Sequence, residues 1–350
     1  MTEIRIGLAG AGYWGSKLAR NIAEAQGCTL DAVSDPDALR CDAAAARYPD
    51  ARAIPELDEM LADPEIDAIV AATPASLHAE HTRAALNAGK HVMVEKPLAL
   101  TTADCDELCS LADEQGLTLM VGHTFIYSEP VRALRRLIQN GDLGRILYVY
   151  GQRLNLGIIR EDLNALWNFG PHDVSILLYL LDAAPLRVSA RQFHLLDRHL
   201  EDVAFVVLEF PEGVVGHIHE SWLDPRKVRQ FIVVGDEKMA VYDDTDVESP
   251  LKIYDKGVRE QPLSRAPDMR DDFASFKLQV RAGDVLAPRV ESSEPLRTEI
   301  EHFAECVATG ERPQTDGLHG TQVVSILEGA ERSAAEGGSW IPLGVPAAAP

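Results

Sequence analysis

Residues 4–15 read Ile-Arg-Ile-Gly-Leu-Ala-Gly-Ala-Gly-Tyr-Trp-Gly. Residues 4–9 form a short apolar run of the kind a buried parallel strand uses. Three glycines, Gly10, Gly12 and Gly15, follow at the spacing G-x-G-x-x-G, and a helical pattern runs from about residue 14 to residue 25. That order turns the free N–H groups of a helix N-terminus toward an anion. Gly10 allows the tight turn, Gly12 lets a pyrophosphate approach the backbone, and Gly15 lets helix and strand pack closely. A second strand is expected at residues 29–35 and ends on Asp35, about 20 residues past Gly15, where a carboxylate can hold ribose hydroxyls. The spacing predicts a dinucleotide site that also takes in Tyr13 and Trp14. Asp35 favours NAD over NADP because it repels a 2′-phosphate; Arg40, a turn into the next helix, keeps NADP as the alternative.

The same rhythm continues outward. Strands are expected at 67–73, 91–96 and 118–123, with helices at 37–48, 76–89 and 101–116 between them. Near-continuous apolar strands alternating with helices indicate a parallel α/β sheet. Beyond residue 124 the pattern changes. After a helix near 130–140, strand-like stretches at 146–157, 187–196, 203–210, 214–223 and 229–236 follow one another without the regular helical alternation of the first half, with a hairpin turn at Pro211-Glu212-Gly213. Helical patterns return at 295–310 and 317–337. The expected architecture is α/β: an N-terminal dinucleotide-binding domain over 1–123 and a C-terminal α+β domain over 124–350 on a largely antiparallel open-faced sheet. The tail 345–350, VPAAAP, is expected to fray.

The chain has 350 residues, 33 Lys+Arg against 55 Asp+Glu, and a net charge of −22, which disfavours nucleic acid and anionic membranes as partners. No apolar run approaches the ~20 residues of a membrane span. The start, MTEIRIGLAG, enters a strand directly and lacks the pattern of a secretory signal. The five cysteines follow no framework spacing and read as reduced thiols of a cytoplasmic protein. Cys105 and Cys109 have no further metal ligands nearby, and no metal is expected.

Chemistry is expected at the carboxyl ends of the parallel strands, where such sheets bind ligands. Thr73, Pro74 and His78 follow the third expected strand. Glu95 and Lys96 close the fourth, before Pro97. A lysine there can hydrogen-bond a substrate hydroxyl and stabilise its alkoxide, with Glu95 orienting the ammonium or the cofactor. A surface ion pair is the alternative reading. Arg153 and Asn155 share a strand face that suits a diphosphate or carboxylate. His172 follows Gly170 and Pro171 near an expected helix start, where on the residues alone it reads, with Asp173, as a cap of that helix. His217 and His219 share a strand face; Glu220 points the other way, which argues against a metal site.

The glycine turn, Thr73-Pro74, Glu95-Lys96-Pro97 and the α+β second half together resemble the Gfo/Idh/MocA oxidoreductase family, which includes glucose-fructose oxidoreductase, inositol dehydrogenases and sugar-nucleotide dehydrogenases. The resemblance implies a Rossmann domain followed by an open-faced sheet domain, and a catalytic Lys96 touching the reacting hydroxyl. It implies a substrate-side Tyr127, and it makes His172 the proton acceptor of a D-x-G-x-H pattern. Here that pattern begins with Asn168, which can hold a hydroxyl but cannot accept a proton. The implied activity is NAD(P)-dependent hydride transfer at a secondary alcohol of a sugar, first a UDP- or dTDP-linked sugar at C3 and second a polyol such as inositol. A non-catalytic NAD-binding sensor of the same fold is the rival of another class. The resemblance also implies a homodimer or homotetramer through the open sheet.

Overall fold

The computed structural model describes residues 3–48, 50–157, 162–196, 199–260, 278–281, 283–291 and 293–344. The tail at 345–350 lies outside them. Strands β1 (Ile4–Ala9), β2 (Cys28–Ser34), β3 (Arg52–Ala53), β4 (Ala68–Ala71), β5 (His91–Glu95) and β6 (Leu119–Gly122) form a parallel sheet in the order β3-β2-β1-β4-β5-β6. Helices α1 (Gly15–Glu24), α2 (Ala38–Arg47), α3 (Leu57–Ala62), α4 (His78–Asn87) and α5 (Thr102–Gln115) connect them. Every residue of β4 and β6 is buried, as the apolar runs require. Helix α5 is bounded by local chemistry. The Thr101 side chain accepts from the Asp104 N–H, and Gly116 closes the helix in the left-handed region at φ 67°.

The order reverses between β1 and β4, so the chain leaves those two strands in opposite directions and a crevice opens at their carboxyl ends. Gly10 sits in that crevice at φ 96°, and a Cβ there would lie 2.7 Å from the Ala72 carbonyl oxygen beyond β4. A Cβ on Gly15 would lie 1.9 Å from the Gly10 carbonyl oxygen. The first glycine is needed for both its backbone angle and its closeness, the third for closeness alone.

Helix α6 (Glu129–Gln139) leads into the second half. Its strands are β7 (Ile146–Leu154), β8 (Arg187–Phe193), β9 (Val203–Glu209), β10 (Val215–Ser221), β11 (Val228–Gly235), β12 (Met239–Asp243) and β13 (Leu251–Tyr254). They are followed by β14 (Gly257–Glu260), β15 (Leu278–Arg281), β16 (Val285–Leu286) and β17 (Ile341–Pro342). Nine of them form one sheet, β16-β13-β12-β11-β7-β10-β9-β8-β17, while β14 and β15 pair separately. Within the nine-stranded sheet β7 and β10 run parallel and the other described pairs antiparallel. Helix α7 (Ala165–Leu181) covers one face. Helices α8 (Pro295–Thr309) and α9 (Gly317–Ala335) return to the first sheet, α8 against α1 and β1, α9 against α5 and β6. The Val121 N–H donates to the Thr315 carbonyl oxygen at 2.8 Å, so the chain's end is stitched to β6. None of the described helices is long and apolar enough to cross a membrane.

Two short elements escape the periodicity. β3 is a two-residue edge strand with both residues exposed, and α3 is only six residues long. Neither carries enough apolar pattern to be seen. The larger correction concerns α7. It begins at Ala165, capped by the Asn164 side chain accepting from the Trp167 N–H at 2.9 Å, and runs through Pro171. His172 therefore lies inside a helix and not at its start. Proline in a helix interior bends it and loosens the preceding turn. Here burial of nearly the whole α7 surface outweighs that local cost.

Candidate active site

The glycine turn forms a cradle at the β1–β4 crevice. A Cβ at Gly12 would project into open space, while Gly10 and Gly15 are closed in by backbone. The Asp35 carboxylate accepts from the Ala11 N–H at 2.8 Å and the Asp37 N–H at 2.9 Å. It thus lies beside the glycine turn at the end of β2. These are the features a dinucleotide needs: close access to backbone at Gly12, helix α1 pointing its N-terminus there, and an acceptor for ribose hydroxyls. Tyr13 stands at the cradle's rim, 80% exposed, with the Lys17 ammonium 4.5 Å from its ring centre. Trp14 turns inward, and its indole N–H donates to the Glu95 carboxylate.

Glu95 and Lys96 leave β5 on the same edge of the sheet, with the Lys96–Pro97 peptide bond cis. Burial pushes the Glu95 carboxyl up to about 7, against the pull of the Trp14 indole and Lys96. Behind it, Glu299 of α8 is also buried and held well above the usual carboxylate range, first by burial and then by the charge of Glu95. Thr73 is half-buried and Pro74 exposed at the end of β4. His78 corrects an expectation. It is buried, with Nδ1 2.6 Å from the Pro97 carbonyl oxygen and Nε2 2.9 Å from that of Thr73. Its ring ties the β4 exit to the β5 exit and does not line the crevice.

The Lys96 ammonium donates to the Asn168 carbonyl oxygen at 2.9 Å. That contact joins the first sheet to α7, one helical turn before His172. The His172 ring packs edge-on to Phe125, 5.2 Å between centroids, and its Nδ1 has no hydrogen-bond partner among the described residues. Its pKa is held well below the ordinary imidazole value, by burial first and then by Lys96 and Arg153. His172 is therefore neutral at neutral pH, the form in which an imidazole accepts a proton. Lys96, 76 residues before His172 in sequence, is near enough for its charge to act on that imidazole, and the half-buried Asn168 whose carbonyl it meets lies one turn before His172.

Two further expectations are corrected. Tyr127 is fully buried, its hydroxyl 3.2 Å from that of Thr315, so it belongs to the packing between the segment after β6 and α8 and α9. Arg153 is buried and its guanidinium is already engaged, at 2.6–2.7 Å, with Asp173. It lies 4.6 Å over the face of Phe125 and is not available to a substrate diphosphate. Asn155, half-buried just beyond β7, donates its N–H to the Ser221 carbonyl oxygen. Phe125 and Glu220 carried no motif. Strand parity alone put Glu220 on the face opposite His217 and His219, and that is the core face beneath α7. Among the described residues no group of side chains could hold a metal ion.

Comparison with known proteins gives the following. Residues 4–123 match the Gfo/Idh/MocA oxidoreductase family with an NAD-binding Rossmann fold, and residues 131–241 match the C-terminal domain of the same family. An uncharacterized oxidoreductase of Streptococcus pneumoniae is 34% identical over 150 residues, which span 43% of this chain and 40% of that protein. The UDP-N-acetylglucosamine 3-dehydrogenase of Acidithiobacillus ferrooxidans is 28% identical over 326 residues, 93% of this chain and 95% of the relative. A crystal structure of that enzyme superposes with a TM-score of 0.79, covering 96% of this chain and 99% of the other. GenD2 from gentamicin A biosynthesis, solved with NAD, gives a TM-score of 0.80 at 25% identity, covering 98% and 97%.

Proposed function

This chain belongs to the Gfo/Idh/MocA family of NAD-binding oxidoreductases, and from that premise we propose that it moves a hydride between NAD and a secondary alcohol of a sugar, first the C3 position of a nucleotide-linked sugar. The observation that carries the reading is the Lys96–Asn168 contact, which brings an ammonium to the helix of a neutral, half-buried imidazole. The near full-length similarity to a UDP-N-acetylglucosamine 3-dehydrogenase supports the substrate class.

The glycine cradle, Trp14 and Asp35 would hold NAD, which when bound supplies the hydride acceptor. Lys96 donates a hydrogen bond to the substrate hydroxyl oxygen and stabilises negative charge as it forms there. His172 accepts the hydroxyl proton at a ring nitrogen. Phe125 packs edge-on against the imidazole and carries the Arg153 guanidinium over its face. The side chain of Asn168 would hold a neighbouring hydroxyl without contributing charge.

Absorbance of NADH during titration with UDP-N-acetylglucosamine, a dTDP-linked hexose and inositol tests the substrate class. Turnover is expected with a nucleotide sugar. Turnover with inositol alone would move the assignment to a polyol, and firm NAD binding without any turnover would favour a non-catalytic sensor. Asp35 is open to a sharper test. Asp35→Ala removes acceptors whose charged hydrogen bonds are worth ~1.5–3 kcal/mol, so NAD affinity should fall about tenfold or more and the preference over NADP should narrow. The ratio decides, because loosening of the glycine turn weakens both cofactors alike. An unchanged ratio by fluorescence titration would remove Asp35 from the ribose site.

We propose further that the face of the nine-stranded sheet opposite α7 joins copies of this chain. Tyr148, Phe193, Phe205 and Val215 are exposed on it, and His219 stacks on Phe205 at 4.4 Å. A contiguous apolar surface of this kind marks an interaction site. Phe205→Glu should lower the mass measured by light scattering, and an unchanged mass would place the contact elsewhere. The five free cysteines and the NAD requirement fit a cytoplasmic site of action.

A further inference from the structure

Where α7 packs on β7 and β10 lie two fully buried carboxyl groups and one buried guanidinium: Asp173, Glu220 and Arg153. Arg153 Nε and Nη2 both engage the same oxygen, Asp173 Oδ1, at 2.7 and 2.6 Å. Asp173 Oδ2 is left without a donor, and neither oxygen of Glu220 has a partner among the described residues. Glu220 on β10 stands directly opposite Arg153 on β7, in register between parallel strands, so both side chains rise from the same face. The carboxyl meets the helix where it is narrowest. A Cβ on Gly170 would lie 3.5 Å from Glu220 Oε1 and only 2.7 Å from Leu327. Gly170 is the middle residue of the turn that runs from Asn168 to His172.

Two buried carboxylates beside one guanidinium cannot both stay ionised. An unpartnered acid there costs stability that an apolar side chain of the same size would not. Its presence therefore calls for a role. We infer that Glu220 is a positioning residue: its carboxyl and that of Asp173 share one proton against Arg153, and this neutral cluster fixes the turn that presents Asn168 and His172 to Lys96. The proton resides on Glu220, whose hydroxyl is the missing donor for Asp173 Oδ2. The charged groups acting on the pair are Arg153 from β7, Lys96 from the β5 exit and Arg229 from β11. Across β9 the residue opposite Glu220 is Ala204. Burial raises both carboxyls, and Glu220 is held well above the usual range by burial first and by Asp173 second.

Two variants separate this role from simple packing. Glu220→Gln keeps a donor, and Glu220→Met keeps volume without one. The infrared difference spectrum of wild-type minus Glu220→Gln at neutral pH should show the carbonyl stretch of a protonated carboxylic acid. A carboxylate band there would overturn the inference. This arm needs no substrate, so it stands or falls independently of the proposed function; the turnover arm rests on that function. With UDP-N-acetylglucosamine and NAD, Glu220→Met should lose roughly tenfold or more in kcat with little change in KM for NAD, and Glu220→Gln should recover most of it. A group held protonated by the fold favours the folded state at pH below its ordinary value and loses that contribution as pH rises. Glu220→Met should therefore melt higher than wild type at alkaline pH while turning over more slowly. Equal turnover in Glu220→Met and wild type, or parallel loss of melting temperature and turnover, would reduce Glu220 to packing.

Discussion

Lys96→Ala is expected to lower kcat by about 10²–10³, the effect of removing a preorganised donor from a developing oxyanion, while NAD affinity stays within a few-fold of wild type. The separation follows from position. The glycine cradle and Asp35 lie at the β1 and β2 ends, whereas Lys96 reaches from the β5 exit across to Asn168. A second consequence identifies the cause. Lys96 is the largest charge effect holding the His172 imidazole low, after burial itself. In the variant that repulsion is gone, so the pKa of His172 rises. The acid limb of the residual kcat/KM should move to higher pH, since oxidation of the alcohol needs His172 neutral. Stopped-flow turnover and a pH profile of the same preparation check both. Wild-type turnover in Lys96→Ala would remove the lysine from the reaction.

His172→Ala should cost about 10²–10⁴ in kcat, the range for loss of a general base. Wild-type kcat/KM should be flat above the ordinary imidazole value near ~6.5 and fall only below it, because the fold depresses this histidine. Adding free imidazole to His172→Ala should restore part of the rate, as a base lost from a shaped site can be supplied from solution. Loss of less than about threefold, with no shift in the acid limb, would leave proton acceptance to another group.

Much of this was legible before any coordinates. The strand, glycine turn and helix over residues 4–24, the alternation of apolar strands and helices, and the place of Lys96 at a strand's carboxyl end all follow from period and punctuation. They are local patterns, and local patterns survive in sequence. Legibility stopped where tertiary packing overrode a local rule. Pro171 argues for a helix boundary, yet α7 runs through it because both its flanks are buried. Tyr127 and Arg153 have the chemistry of ligand-binding residues, but Thr315 and Asp173, remote in the chain, already occupy their polar atoms. Nothing near Tyr127 or Arg153 in sequence announces those partners. Glu220 was half legible: alternation put it opposite His217 and His219, but only its burial without a hydrogen-bond partner among the described residues gives that placement meaning.

The central claim is that one hydroxyl meets both Lys96 and His172. A crystal structure with NADH and UDP-N-acetylglucosamine bound measures this directly. The account expects a single sugar hydroxyl oxygen within about 2.6–3.2 Å of both the Lys96 ammonium and a ring nitrogen of His172. A bound sugar touching only one of them, with the other side chain turned to a separate cavity, would contradict it.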